Sequence, residues 1–107
     1  MEIEKYRHDL EVIRNTALQV AKDFAMFGFD ISLPVNELHA YEDLMAQLTP
    51  VIEMQMHKNP EQLNRLLYRI DVSEKQSAVA TNARELTHLI LERELMKVIT
   101  RKILSKR

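Results

Sequence analysis

A chain of 107 residues with one glycine, three prolines, no cysteine and a formal net charge of -1 is long enough for one hydrophobic core and holds little material for hairpins. The lack of cysteine excludes disulfides, thiolate nucleophiles and zinc-thiolate sites, and no apolar run approaches the roughly 18 residues of a membrane span. The charged N-terminus (Glu2, Glu4, Lys5, Arg7) has no apolar signal core, which predicts a cytoplasmic protein.

Leu, Glu, Lys, Arg, Met, Gln and Ala dominate, the residues that lose least on entering a helix. The expected fold is all-α: one domain over 1–107, a compact antiparallel four-helix bundle with a short third helix and an extended strap after the first.

The first helix is expected over 2–27. Ile3, Tyr6, Leu10, Ile13, Ala17, Val20, Phe24 and Phe27 recur at steps of three and four, and Gly28 supplies the left-handed stop. Ala17, Ala21 and Ala25 allow a close neighbour. Phe29, Ile31, Leu33 and Val35 then alternate with Asp30, Ser32 and Pro34, the period of an extended strap laid across the bundle.

The second helix opens near Asn36 and ends near Lys58, with Leu38, Tyr41, Met45, Leu48 and Ile52 on one stripe. The stripe keeps its phase across Pro50, which favours one kinked helix over two. Asn59-Pro60 starts the third, which carries Leu63, Leu66, Leu67 and Ile70. Asp71-Val72-Ser73-Glu74 breaks the chain, and Ser73 with Gln76 caps a fourth helix expected to run to about Leu104.

That last helix widens. Leu89, Leu91, Leu95, Met96, Val98, Ile99 and Ile103 spread over roughly half the wheel at about 100° per residue, with Ile90 outside the set. Surplus apolar surface is normally covered by another chain, which makes Leu91, Leu95, Val98 and Ile99 the candidate partner surface; the bland reading is a helix central in its own bundle. On the first helix Arg7 and Arg14 flank the seam on one side and Asp9 and Asp23 on the other, a pattern for parallel self-pairing. The mixed sizes of Tyr6, Ala17, Phe24 and Phe27 favour a globular core instead.

Residues 1–60 hold ten acids against five bases and 61–107 six against ten, so the balance moves from -5 to +4. After Glu94 come only bases: Lys97, Arg101, Lys102, Lys106 and Arg107. Phosphate binding is the functional reading; cations complementing a helix C-terminus are the plainer and preferred one.

Glu85-Leu86-Thr87-His88 has the Glu-x-x-His spacing of di-iron bundles, yet there is no second copy, and Glu53 with His57 is one more isolated pair. A single glycine excludes phosphate loops and nucleophile elbows. Met45, Met54 and Met56 fit core filling beside Pro50 better than a Met-rich groove.

Leu66-Leu67-Tyr68-Arg69-Ile70-Asp71-Val72-Ser73-Glu74, with Arg93-Glu94-Leu95-Met96-Lys97-Val98 and Arg101-Lys102, resembles a pattern in small uncharacterised bacterial proteins. The resemblance covers roughly the C-terminal 40 residues, implies an all-helical cytoplasmic protein and brings no activity. It directs attention to Arg69 and Asp71 as an ion pair or cap at the bend.

The sequence therefore reads as a non-catalytic interaction or scaffolding module. It associates as a homodimer, or with another protein, through Leu91, Leu95, Val98 and Ile99. The alternative is nucleic-acid binding through Lys97, Arg101, Lys102 and Lys106. No cofactor, metal site, membrane contact or catalytic residue is expected.

Overall fold

Asp9 divides the first expected helix. In the computed structural model, which describes residues 3–105, α1 (Ile3–Arg7) and α2 (Leu10–Ala25) are separate elements. The Asp9 backbone is extended, and its carboxylate accepts from the amides of Glu11 (2.9 Å) and Val12 (3.4 Å), satisfying donors that a new helix leaves open. The break rotates the apolar stripe. Val12 becomes fully buried while Leu10, expected in the seam, is 45% exposed.

Phe29 N–H reaches back to Phe24 O (3.1 Å) past Gly28, whose φ of 86° is left-handed. No atom lies within 4 Å of the place a Gly28 Cβ would occupy, so Gly28→Ala meets backbone strain alone. We expect a loss of about 1 kcal/mol in urea unfolding.

The strap enters the core at Ile31 and is fastened at Ser32, whose N–H donates to Gln47 Oε1 (2.9 Å) and whose carbonyl accepts from Gln47 Nε2 (2.8 Å). It then lifts away. Leu33 and Val35, which share the alternation with Ile31, are 51% and 99% exposed. Asn36 accepts from Leu38 N–H and turns the chain into a 3-10 turn, Glu37–His39, at the surface.

α3 (Ala40–Lys58) runs through Pro50 as one helix. α4 (Pro60–Ile70) begins on the Asn59 cap and ends at Asp71, left-handed at φ 72°, with Val72 N–H returning to Leu67 O (2.9 Å). A capping box of Ser73 and Gln76 opens α5 (Glu74–Ala78), which is only five residues long. Asn82 Oδ1 accepts from Glu85 N–H and the Glu85 carboxylate accepts back from Thr81, a second cap that starts α6 (Ala83–Ser105). The single fourth helix expected after Ser73 is thus two.

The fold is all-α; among the described residues there is no strand, and there are six α-helices where four were expected. α6 lies between α2 and α3, and α4 closes the core beneath them. Phe24, Leu48, Ile52, Leu66, Ile70 and Ile90 are fully enclosed there. A smaller cluster of Tyr6, Val12, Val98 and Ile99 forms where α1 folds over α6.

Candidate functional site

Two adjoining hollows open between α2, the strap and the start of α3. The larger, about 310 Å3, has Leu44, Leu91 and Leu95 below, Leu10, Ile13, Ala40 and Tyr41 around it, and Arg7, His8, Glu37 and Leu38 among its lining. The smaller, about 240 Å3, shares Ile13, Glu37 and Ala40 and continues along Ala17, Leu18, Leu33 and Pro34. An Arg14–Glu37 ion pair joins α2 to the 3-10 turn beside both. Leu38, 84% exposed, and Val35 project next to the hollows.

The groove follows from the two departures in backbone described above. Rotation of the stripe at Asp9 leaves Leu10 and Ile13 out of the core, and the surface turn at Asn36 sets Leu38 outside it. Leu10, Ile13 and Leu38 were all legible as apolar; their facing was not.

The four residues expected to form a free apolar face do not form one. Leu91, Val98 and Ile99 are 2%, 5% and 0% exposed and Leu95 is partly buried, because α1, α2 and α3 cover the broad side of α6. Leu91 and Leu95 reach the bottom of the larger hollow, whereas Val98 and Ile99 pack against Tyr6 and Val12. α1 is held over them by Arg7, which makes a two-pronged contact with Glu92 (2.9 Å on each arm) and also pairs with Glu4. The surplus surface is thereby consumed within the chain.

The described bases near the end of α6 are engaged within the chain. Lys102 pairs with Asp9 (2.5 Å), Arg101 donates to Gln19 Oε1 (2.9 Å) and Lys97 lies 2.6 Å from Glu94. Lys106 lies outside the described residues. Phosphate contact by Lys97, Arg101 or Lys102 must compete with these intramolecular partners.

Glu85 and His88 diverge in use. Glu85 caps α6, and His88 Nδ1 meets the Tyr41 hydroxyl, the two rings edge to face at 5.9 Å. Among the described residues no three His, Asp or Glu side chains gather as metal donors. Arg69 and Asp71 do not pair with each other: Arg69 donates to Asp23 (2.9 Å) and Asp71 accepts from Arg93 (2.7 Å), so they tie the bend to α2 and α6 respectively.

Sequence reasoning missed a sealed acidic pair. Asp23, expected as a flanking charge, is 2% exposed, and Glu94 is 0% exposed. Asp23 accepts from Gln19 Nε2 (3.1 Å) and Arg69, and Lys97 stands 3.8 Å from its second oxygen. No aligned protein donor reaches that oxygen or either oxygen of Glu94, although Lys97 is close by.

Burial, then the neighbouring Asp23, raises the Glu94 carboxyl to about 8, against the opposing pull of Lys97. Burial also pushes Asp23 upward but is outweighed by the adjoining Glu94 carboxyl, by hydrogen bonds from Gln19 and Arg69 and by the charge of Lys97, so Asp23 is held below its ordinary value. With Glu94 raised and Asp23 lowered, the pair holds a single proton, on Glu94, beside an ionised Asp23. The spacing Ile90, Leu91, Glu94, Val98 was the available signal: it places Glu94 on a buried stripe.

No family model, curated protein or solved structure matches the chain. The acidic pair is closed to solvent and holds a proton; the groove is open and apolar.

Proposed function

We propose that this protein is a non-catalytic interaction module whose docking face is the groove between α2, the strap and the start of α3. The exposure of Leu38 and Val35 beside two hollows carries this reading. Leu10, Leu18, Leu33, Leu38 and Tyr41, each between 43% and 84% exposed, line the two hollows and give them an open apolar border of the kind that marks an interaction site.

The arginines and the buried hydroxyl nearby are committed to the fold. Arg7 and Arg14 are ion-paired, and the Thr16 hydroxyl donates to Val12 O (2.8 Å). What the groove offers an incoming chain is apolar contact inside a polar rim, the ordinary anatomy of a protein interface. A partner's apolar side chain is a suitable occupant, and the lining holds no free pair of titratable groups arranged for proton transfer.

A photo-crosslinking residue at position 38 tests the reading in cells that express the protein, with the exposed position 64 on α4 as control. A discrete adduct from position 38 and none from position 64 is expected. No adduct at 38, or the same smear from both positions, overturns the proposal.

A further inference from the structure

We infer that the groove's occupant is a second copy of this chain, related by a two-fold axis, with Leu38 of each copy seated in the larger hollow of the other. This inference rests on the docking reading above and names its partner.

A two-fold interface uses the same patch on both copies, so the patch must contain projection and recess together. Here it does. Leu38 stands 84% exposed at the edge of a 310 Å3 recess floored by Leu44, Leu91 and Leu95, with Val35, 99% exposed, just before it in the chain. Leu38 borders the recess without filling it, and Val35 is almost wholly open, while the recess has the size and largely apolar lining to receive a side chain from outside.

Charge points the same way. Residues close to a two-fold axis meet their own copies, so an unpaired charge there faces its like. This face neutralises its principal charges internally: Arg14 with Glu37 across the two hollows, and Arg7 with Glu92 and Glu4 at one end. A nucleic acid or an acidic peptide gains little from such a surface, whereas a second neutral face meets it without repulsion.

Area is adequate as well. The exposed residues that line the two hollows contribute on the order of 500 Å2, a large part of the roughly 800 Å2 per partner of a standard interface.

Sedimentation of the purified full chain from about 1 to 100 μM tests the pairing. Wild type is expected to sediment as a dimer in the upper part of that range. Leu38→Asp removes both projections and Leu10→Asp spoils both recesses, so each alone is expected to weaken the dimer at least tenfold. Both positions are solvent-exposed, and retained helicity and unchanged melting confirm that the variants fold.

The decisive arm is a mixture of the two variants. Neither homodimer keeps a projection together with an apolar floor and wall, but the mixed dimer has one such joint, formed by Leu38 of the Leu10→Asp copy entering the recess of the Leu38→Asp copy, which is altered only at its edge. Mixing is therefore expected to restore association, at a level between wild type and the single variants. Failure of the mixture to associate, or a wild-type dimer indifferent to Leu38→Asp, overturns the two-fold seating. A wild-type chain that stays monomeric at 100 μM overturns it too, while a position-38 adduct in cells then leaves the docking face standing with a different partner.

Discussion

Replacing Glu94 by Gln is expected to flatten the dependence of stability on pH above about pH 5. Glu94 is fully enclosed, and burial raises its carboxyl to about 8 from 4.5 in the unfolded chain. Between those values the folded protein holds a proton that the unfolded one releases. Glu94 thus contributes stability that is complete below about 4.5 and is lost as pH rises through about 8. The loss is on the order of a few kcal/mol, enough to consume much of a small domain's stability.

Asp23 acts in the opposite sense. Its folded value is held below 3.8, so its contribution is present above 3.8 and lost as pH falls through the lower folded value. The acidic pair alone therefore favours the fold most near pH 4 to 5. Gln at position 94 keeps the size of the side chain and sets an amide beside Asp23 without a titrating proton. Urea unfolding of both proteins from pH 5 to 9 should show near-equal stability at pH 5 and the variant the more stable at pH 9. The four histidines, common to both proteins, cancel in the difference. A variant that retains the full wild-type slope refutes the proton on Glu94.

Ile99→Ala is expected to cost about 2–5 kcal/mol in unfolding free energy. Ile99 is wholly buried with Tyr6, Val12 and Val98, where α1 crosses α6, and the removed atoms leave a gap that the surrounding helices close only in part. The same substitution should leave the strength of self-association unchanged under conditions where the protein stays folded. Leu38→Asp should do the reverse, altering association while moving stability by no more than about 0.5 kcal/mol, as is usual for a solvent-exposed side chain. Chemical unfolding and sedimentation on the two variants separate a residue that belongs to the core from one that belongs to a partner. If Ile99→Ala dissociated a dimer without destabilising the chain, the broad side of α6 would be the interface after all.

The amino-acid sequence by itself determined that this chain is helical and where most helices begin and end. Asn59-Pro60, Ser73 with Gln76, and Gly28 are short-range devices: each satisfies or redirects a backbone group within a few residues, so its effect is complete in local sequence. The core positions Val20, Phe24, Leu48, Ile52, Leu66 and Ile70 were legible for a related reason, since period alone sets a helix face.

Only the tertiary structure decided which apolar residues stay outside. Asp9 and Asn82 cap helices in the middle of continuous apolar patterns, and a cap's worth depends on what the redirected segment then buries. Turning at Asp9 lets Tyr6 cover Val98 and Ile99, which cancels the free face of α6 and leaves Leu10 beside an open groove. The pairing of Asp23 with Glu94 was likewise hidden, because their 71-residue separation in sequence is closed only when α2 packs on α6. Burial is a property of the assembled neighbours, and no local pattern contains it.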